Sequence, residues 1–222
     1  MLLIVSEPSI GIIVLAAGAS LRMGELKQLL RYEGETLLRR ALRSALDSQC
    51  HPVIVVLGAE ADVLRGEIAD LKALVVVNQE WNEGMSSSIR CGITALEAAT
   101  SGQAQAAILT LCDQPFVNAR VINRLLETYH AKPSLLVASE YESNGERTRG
   151  VPALFSRALF SELMAVRGAE GAKRVIERHQ NEAGIIAVPE AAFDVDTPDD
   201  YQILREQADA GLSGRLKRAE AK

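Results

Sequence analysis

Residues 12–27 read IIVLAAGASLRMGELK, an apolar run that passes into small residues and then into basic ones. The run Ile12–Ala16 has the nearly continuous apolar pattern of a parallel strand that is buried on both faces. The small residues after it let a backbone approach a ligand closely, and Arg22 and Lys27 follow the turn. Consecutive backbone N–H groups together with two cations can cradle an anion. Because open α/β sheets bind ligands outside the carboxyl ends of their strands, this segment predicts an anion site there.

Two common phosphate-binding patterns do not describe this loop. The interval between Gly18 and Gly24 is one residue too long for G-x-x-x-x-G-K-[ST], and neither Ser nor Thr follows Lys27. The dinucleotide pattern G-x-G-x-x-G is absent as well. Taken alone, the loop can also be a tight turn whose basic residues are merely solvated.

The chain continues with alternating strands and helices. Further short apolar runs predict buried strands at Val53–Leu57, Leu74–Val77, Ala106–Leu111 and Leu135–Ala138. Apolar residues at intervals of three and four predict amphipathic helices at Thr36–Ser48, Ala61–Ile68, Ser87–Ala99 and Val117–His130. This alternation indicates βαβ units and a three-layer α/β/α, Rossmann-like fold with a mostly parallel central sheet.

The alternation loosens after about residue 140. The polar stretch Glu140–Gly150 contains the turn signal Asn144-Gly145 and predicts an exposed loop. Beyond it, the pattern predicts helices at Ser156–Ala165 and Gly171–His179, a strand at Ile185–Val188, and a helix start at Asp196-Thr197-Pro198. We expect one domain over residues 1–205 and a tail over residues 206–222.

The composition excludes several classes of partner. Hydrophobic residues make up 48% and charged residues 24% of the 222 residues, which is ordinary for a globular protein. Aromatic residues make up 4%, too few for a surface that stacks single-stranded bases. The net charge of −5 argues against a nucleic acid or an anionic membrane as the main partner.

The cysteines and the apolar runs point to a cytoplasmic protein. Cys50, Cys91 and Cys112 are odd in number and lack C-x-x-C spacing, so neither a disulfide framework nor a zinc site is indicated. No stretch reaches the roughly 18 apolar residues that a membrane-spanning helix needs.

Two acidic segments supply candidate metal ligands. Asp113 follows an apolar run, so it stands where the chain leaves the sheet, and its alternative role is to cap the helix predicted at Val117. The stretch Asp194–Asp200 contains several carboxylates, although Asp196 or Thr197 can also serve as a helix N-cap. Mg²⁺ takes oxygen ligands and is usually held by one or two carboxylates plus substrate phosphates.

A polar segment follows the strand predicted at Leu74–Val77. It contains Asn78, Trp81, Gly84 and three serines at residues 86–88. One serine is expected to cap the next helix, because its side-chain oxygen can accept a bond from a backbone N–H in the first turn. Three hydroxyls exceed what one cap requires. Trp81 either covers the edge of the core or contacts a ligand.

The loop L-A-A-G-x-S-x-R-M-G-x-x-K at residues 15–27 resembles the signature loop of molybdenum cofactor nucleotidyltransferases. It is most similar to that of the molybdenum cofactor cytidylyltransferase family. Further similar stretches follow in the same order: Leu29-Leu30, Gly34, Thr36-Leu37-Leu38, Asn78–Gly92, Asp113-Gln114-Pro115, Gly150-Val151-Pro152 and Asp194–Tyr201. The resemblance therefore extends over roughly residues 10–205.

The resemblance implies a GT-A-like nucleotidyltransferase that moves CMP from CTP to the terminal phosphate of molybdopterin-bound molybdenum cofactor. It implies catalytic roles for Arg22, Lys27 and Asp113, and Mg²⁺ on Asp113 and Asp196, with Asp194 as the rival second ligand. The residues implied to bind the nucleotide are Leu15, Ala16, Ala17, Gly18, Arg22, Lys27, Asn78, Gly84 and Ser88. Gly150 and Pro152 are implied to face the second substrate, and a recipient molybdoenzyme is the implied protein partner.

Three alternatives remain at this point. Related guanylyltransferases usually have L-A-G-G where this chain has Leu15-Ala16-Ala17-Gly18, so the preference for CTP over GTP rests on Ala17. A sugar-phosphate or polyol-phosphate nucleotidyltransferase would share the loop and the carboxylates. Glu170 and Lys173 depart from the family pattern G-D-x-G-A-R, which leaves room for a non-catalytic, cofactor-binding maturation partner of a molybdoenzyme.

Overall fold

The computed structural model describes residues 9–143, 145–168 and 171–208 of the chain. Its strands are β1 (Ile10–Ala16), β2 (Arg31–Tyr32), β3 (Glu35–Thr36), β4 (Val53–Leu57), β5 (Leu74–Val77), β6 (Ala106–Leu111), β7 (Leu136–Ser143), β8 (Glu146–Ser156) and β9 (Gly184–Ala187). Its helices are α1 (Leu37–Leu46), α2 (Ala61–Glu67), α3 (Met85–Ala99), α4 (Ala119–Ala131), α5 (Phe160–Ala165), α6 (Lys173–Arg178) and a last helix at residues 198–208.

The central sheet has the strand order β5-β4-β1-β6-β8-β7-β9. Strands β5, β4, β1 and β6 pair in parallel, and β9 pairs in parallel with β7. Strand β8 pairs antiparallel with both of its neighbours. Parallel neighbours need crossover connections, which α1, α2 and α3 supply. The α/β fold with a mostly parallel central sheet is therefore confirmed.

Helices cover both faces of this sheet because successive side chains of each strand point to opposite faces. On one face, Ile12 and Val14 pack with apolar residues of α1 and α4. On the other face, Ile13 packs with α3, whose Gly92 lies so close that an added Cβ would be 2.5 Å from Ile13 Cγ2. Two apolar layers thus hold β1 in the middle of the sheet, and the loop that leaves β1 starts from a rigid base.

The prediction of an exposed loop at Glu140–Gly150 is wrong. Strand β7 runs to Ser143 and β8 begins at Glu146, so this stretch belongs to a hairpin. Arg149 lies opposite Glu140 and contacts its carboxylate at 3.2 Å, while Tyr141 packs against the core. Cross-strand pairs of this kind stabilise the polar outer half of the hairpin, whose inner half carries the buried apolar residues of β7 and β8. Asn144 of the expected turn lies outside the described residues.

The expected serine cap of α3 is also wrong. The helix begins at Met85, with Gly84 at the N-cap position and no capping bond from a side chain. The serines lie inside the first turns and are buried. Ser87 instead donates to the carbonyls of Glu80 and Gly84, each at 2.8 Å, which joins the helix to the preceding segment.

The carboxyl-terminal part agrees with the expected helix start, and the boundary predicted between domain and tail falls near the end of that helix. Thr197 caps the last helix: its hydroxyl oxygen accepts from the backbone N–H of Asp200 at 3.3 Å, and its own N–H donates to the Asp200 carboxylate at 2.8 Å. This helix continues to residue 208, past the boundary expected at 205. Residues 209–222 lie outside the described part of the chain. No helix among the described residues is long and apolar enough to cross a membrane.

Candidate active site

A cavity of about 210 Å³ opens at the carboxyl ends of β1 and β6. The structure brings the following sequence-predicted residues to its wall: Leu15, Ala16, Ala17, Gly18, Lys27, Gly84, Ser88 and Asp113. They come from three separate parts of the chain, which meet because the parallel strands end at one edge of the sheet. The cavity therefore lies at the position that the loop sequence predicted for a ligand.

Gln28 holds the Gly-rich loop in its shape. Its side chain is 1% exposed, and its amide Nε2 donates to the carbonyls of Ala16 at 3.1 Å and Gly18 at 2.7 Å. Its amide oxygen accepts from the Ser20 hydroxyl at 3.1 Å, and that hydroxyl oxygen accepts from the backbone N–H of Lys27 at 3.1 Å. Because peptide units are planar and trans, each fixed carbonyl also fixes the direction of the next N–H group. One buried side chain thus sets the orientation of two peptide units of the cradle.

Gln28 is not among the residues that the sequence predicted for the site. A signal was present, since Gln28 directly follows the last residue of the loop pattern and precedes the apolar pair Leu29-Leu30. A polar side chain beside a ligand loop and next to apolar residues is a candidate for internal hydrogen bonds to that loop. Its two backbone partners, however, lie 10 and 12 residues earlier in the chain, and sequence spacing alone does not pair them.

Lys27 joins the two predicted metal ligands. Its Nζ contacts Asp113 Oδ2 and lies 2.8 Å from Asp196 Oδ1. Arg22 contacts the other oxygen of Asp196 at 2.8 Å, although its own side chain is 71% exposed. Burial opposes the charge on Lys27, but the two carboxylates outweigh burial and raise the pKa of Lys27 further above its usual value. The ammonium group is therefore charged throughout the neutral range.

A backbone bond brings the second acidic segment to Asp113. The N–H of Val195 donates to the Asp113 carbonyl at 3.0 Å, so Asp196 lies beside Lys27. Desolvation opposes ionisation of Asp196, but its bonds to Lys27 and the nearby charges lower the pKa of its carboxyl. Thr197 caps the helix, which leaves Asp196 free of that role. Of the two rivals, Asp196 therefore has the contacts with the Lys27 and Asp113 cluster.

Asp194 lies on the other side of Val195 and is in a different environment. The residue as a whole is exposed, yet desolvation of its carboxyl group and the nearby charge of Asp113 raise its pKa to about 7. Gln114 donates a hydrogen bond that works in the opposite direction. A cation bound among the neighbouring carboxylates would lower this pKa. Burial and the neighbouring carboxylates Asp113 and Asp196 thus oppose the ionisation of Asp194.

The oxygens at this end of the cavity can accept a hard cation. Asp113 Oδ1 is buried and has no hydrogen-bond partner, whereas Asp113 Oδ2 is paired with Lys27. The described residues contain no group of three or more His, Cys, Asp and Glu side chains that could hold a metal by themselves. Mg²⁺ needs no such group when substrate phosphates complete its shell. Asp113 and Asp196 therefore fit a magnesium–nucleotide complex better than a metal bound by protein alone.

Asn78 lies beneath the cavity wall and does not line the cavity. Its amide nitrogen donates to the hydroxyls of Ser87 at 2.8 Å and Ser88 at 3.1 Å, and its oxygen accepts from the N–H of Glu80. Ser88 itself does line the cavity. Asn78 therefore holds the orientation of a wall residue, and its contact with the nucleotide stays a prediction.

Trp81 lies at a cavity wall, and its contact with a ligand stays a prediction. It is 36% exposed and packs beside Gly58, where an added Cβ would lie 2.6 Å from both Trp81 Cβ and the Ala17 carbonyl oxygen. It also lines the 210 Å³ cavity and a second cavity of about 460 Å³ on the other side of the Gly-rich loop. Gly58 thus permits the loop after β4 to approach Ala17 closely, and Trp81 separates the two cavities.

Gly150 and Pro152 lie in β8 and not at the wall of the 210 Å³ cavity. Gly150 packs against the Tyr141 hydroxyl, and Pro152 accepts a bond from the Ser139 hydroxyl at 2.5 Å. Near the start of β8, Arg149 and Lys173 line a separate cavity of about 450 Å³. Glu170, which departs from the family pattern, lies outside the described residues.

Cys112 lines the cavity but offers no nucleophile. It is 3% exposed, and desolvation together with the charge of Asp113 raises the pKa of its thiol to about 12. A thiol with this pKa stays protonated at neutral pH, and thiols react as thiolates. Cys112 is therefore not a candidate nucleophile at neutral pH.

Comparison with known proteins agrees with this arrangement. A family model described as the MobA-like NTP transferase domain matches residues 12–183. The nicotine blue oxidoreductase of Paenarthrobacter nicotinovorans is 30% identical over 177 residues, which cover 78% of this chain and 83% of the relative. The purine catabolism protein PucB of Bacillus subtilis is 30% identical over 203 residues, 87% of this chain and 94% of the relative. The molybdenum cofactor cytidylyltransferase of Escherichia coli is 24% identical over 200 residues, 90% and 97% of the two chains.

The chain is also similar in three-dimensional structure to a solved protein. The complex of Rv0371c from Mycobacterium tuberculosis with manganese has a TM-score of 0.72 and 30% identity, and the match covers 89% of this chain and 98% of that one. The family resemblance inferred from residues 15–27 is thereby confirmed.

Proposed function

The chain belongs to the family of MobA-like NTP transferase domains, and from that premise we propose that it transfers CMP from CTP to the terminal phosphate of a molybdopterin-type cofactor. The observation that carries this proposal is the contact of Lys27 with both Asp113 and Asp196 beside the 210 Å³ cavity. Nucleotidyl transfer needs positive charge at a triphosphate and carboxylates for its metal ion. Both are present where the Gly-rich loop ends.

In the proposed reaction, an oxygen of the acceptor phosphate attacks the α-phosphorus of CTP. A new P–O bond forms, the bond to the β-phosphate oxygen breaks, and its electron pair leaves with pyrophosphate. A phosphate monoester is largely ionised at neutral pH, so the acceptor needs no strong general base. Lys27 and Arg22 neutralise the triphosphate, while the Gly-rich loop holds it in line with the acceptor.

We propose Mg²⁺ as the cofactor, held by Asp113 and Asp196. The unpartnered, buried Asp113 Oδ1 supports this assignment, as does the manganese in the Rv0371c complex. When bound, the ion would neutralise and orient the phosphate oxygens of the nucleotide. Asp113 and Asp196 would then supply the protein oxygens, and the triphosphate would supply further ones.

The choice of substrates rests on finer observations. Ala17 in place of the second glycine of L-A-G-G, and the similarity to the Escherichia coli cytidylyltransferase, support CTP and the molybdenum cofactor. The approach of the acceptor past Gly150 and Pro152 rests on the family resemblance, because three basic and three acidic side chains line the 450 Å³ cavity: Arg147, Arg149, Lys173, Glu140, Glu146 and Glu177. A recipient molybdoenzyme is the proposed protein partner. We place the reaction in the cytoplasm, since the three cysteines are free thiols, as reducing compartments favour.

The test is release of pyrophosphate with each of CTP, GTP, ATP and UTP, in the presence of Mg²⁺ and molybdopterin-bound cofactor. We expect release with CTP, a loss of at least about a hundredfold in Asp113→Asn, and no change in the control Asp62→Asn on the exposed face of α2. Equal release with GTP would remove the CTP assignment. Release only with sugar 1-phosphates would identify another acceptor, and binding of cofactor without release would indicate a non-catalytic partner.

A further inference from the structure

Protein cations already occupy most of the proposed metal ligands. Lys27 contacts Asp113 Oδ2 and Asp196 Oδ1, and Arg22 contacts Asp196 Oδ2. Of the four carboxylate oxygens of these two residues, Asp113 Oδ1 is the one for which the described chain supplies no partner. The Lys27 side chain is 16% exposed and that of Asp113 is 12% exposed, so their contact is largely shielded from water.

An ammonium group and a divalent cation compete for the same oxygens. Two cations between two carboxylates would repel each other at short range, and that repulsion is strong where water is partly excluded. If a metal ion entered alone, Lys27 would have to leave Asp113 and Asp196, which form its ion pairs among the described residues. A triphosphate changes this balance because its oxygens offer the ammonium group a new partner.

We propose that the Lys27 ammonium group occupies the position of the divalent cation between Asp113 and Asp196 and yields it only when a nucleoside triphosphate binds. This inference rests on the proposed nucleotidyl transfer, because it takes the two aspartates as the metal ligands. Metal and nucleotide then enter together, and the protein without nucleotide has little affinity for the metal. Lys27 has two partners in turn: the carboxylates before binding and the triphosphate afterwards.

The substitution Lys27→Met should have opposite effects on metal binding and on activity. Lys27→Met keeps the length and apolar stem of the side chain but removes its charge. Without the ammonium group, the carboxylates are free to bind a divalent cation in the absence of nucleotide. The same variant should lose activity, because the charge opposite the triphosphate is gone. Metal binding and activity should therefore change in opposite directions.

The experiment measures Mn²⁺ binding to the full chain by electron paramagnetic resonance of the free ion, with and without CTP. We expect Lys27→Met to bind Mn²⁺ alone roughly ten- to a hundredfold more tightly than the parent chain. Lys27→Arg, which keeps a cation, and Lys72→Met, which removes an exposed one, should match the parent. Adding Asp113→Asn to Lys27→Met should abolish the gain, which places the bound ion at this site.

Manganese affinity of Lys27→Met equal to or below that of the parent would overturn the inference. If Lys27→Met does not fold, as judged by circular dichroism, Lys27→Gln replaces it in the experiment. The inference is also overturned if the parent chain binds Mn²⁺ as tightly without CTP as with it. Pyrophosphate release is measured on the same preparations. If the parent chain releases pyrophosphate but Lys27→Met does not bind Mn²⁺ more tightly, this inference alone is rejected. If no nucleotide gives pyrophosphate release, the proposed function is rejected.

Discussion

Replacing Gln28 with Met tests how the Gly-rich loop keeps its shape. Met has nearly the same length as Gln but no N–H group, so the carbonyls of Ala16 and Gly18 each lose a donor. Ala16 is 2% exposed, and water cannot easily replace the donor to its carbonyl. Gly18 is exposed, and water can reach its carbonyl. The two losses therefore have different consequences.

The cost to stability comes mainly from Ala16. Leaving one buried carbonyl without a donor costs about 1–3 kcal/mol of the free energy of unfolding. For a chain of this size, each kcal/mol lowers the unfolding temperature by roughly 2–4 °C. The cost to nucleotide binding comes from the peptide units before Ala17 and Ala19, whose N–H groups are no longer held in direction. Two hydrogen bonds of about 0.5–1.5 kcal/mol each correspond to a roughly 5- to 150-fold rise in KM for the nucleotide.

The assay is pyrophosphate release over a range of CTP concentrations at saturating acceptor, with thermal unfolding on the same samples. Gln202→Met is the matched control, since Gln202 is exposed on the last helix and bonds only to Glu206 among its described contacts. We expect kcat to fall less than KM rises, because Gln28 does not contact the carboxylates. A KM within twofold of the parent value, in a variant with a lowered unfolding temperature, would refute the role assigned to Gln28 in the cradle.

Two further outcomes follow from the same region. Gly58→Ala should lower the free energy of unfolding by about 1–3 kcal/mol and raise the KM for CTP, because its Cβ would lie 2.6 Å from the Ala17 carbonyl oxygen. Gly66→Ala in α2 is the control: its added Cβ meets nothing within 4 Å, so the substitution should be neutral or stabilising. Urea unfolding at a series of pH values should show Asp196 stabilising the fold above about pH 4 and losing that contribution as the pH falls through its lowered folded-state pKa. The parent chain should therefore lose stability in acid more steeply than Asp196→Asn, and parallel curves for the two would contradict the ion-pair assignment.

Local patterns predicted the part of the fold that positions the nucleotide. The run Ile12–Ala16 is apolar at every position because β1 is buried on both faces. The small residues after it are typical of a turn whose backbone approaches a ligand closely. The start of β7 was predicted as a strand at Leu135–Ala138. The polar half of the hairpin was missed because its strands pair charged residues, such as Glu140 with Arg149, whose attraction depends on register. A polar stretch with a turn signal looks the same in sequence whether or not its two halves pair.

The candidate site shows a similar division. Asp113 was found from its place at the end of a strand, a local property. The choice between Asp194 and Asp196 needed the bond from the Val195 N–H to the Asp113 carbonyl, which joins residues 82 positions apart. Asn78 was predicted to bind the nucleotide from its segment, and its tertiary partners, Ser87 and Ser88, were not visible in the sequence pattern. Residue type indicates what a side chain can bind, and the tertiary contacts decide which of those partners it meets.

The position of Trp81 has a practical consequence. It is the single tryptophan of the chain, and it forms part of the wall of two cavities, one on each side of the Gly-rich loop. Indole emission responds to contact with water and to stacked rings, so the unmodified protein carries its own optical reporter. A ligand entering either cavity would shift or quench that emission, and displacement by competing compounds could be followed in real time without a label.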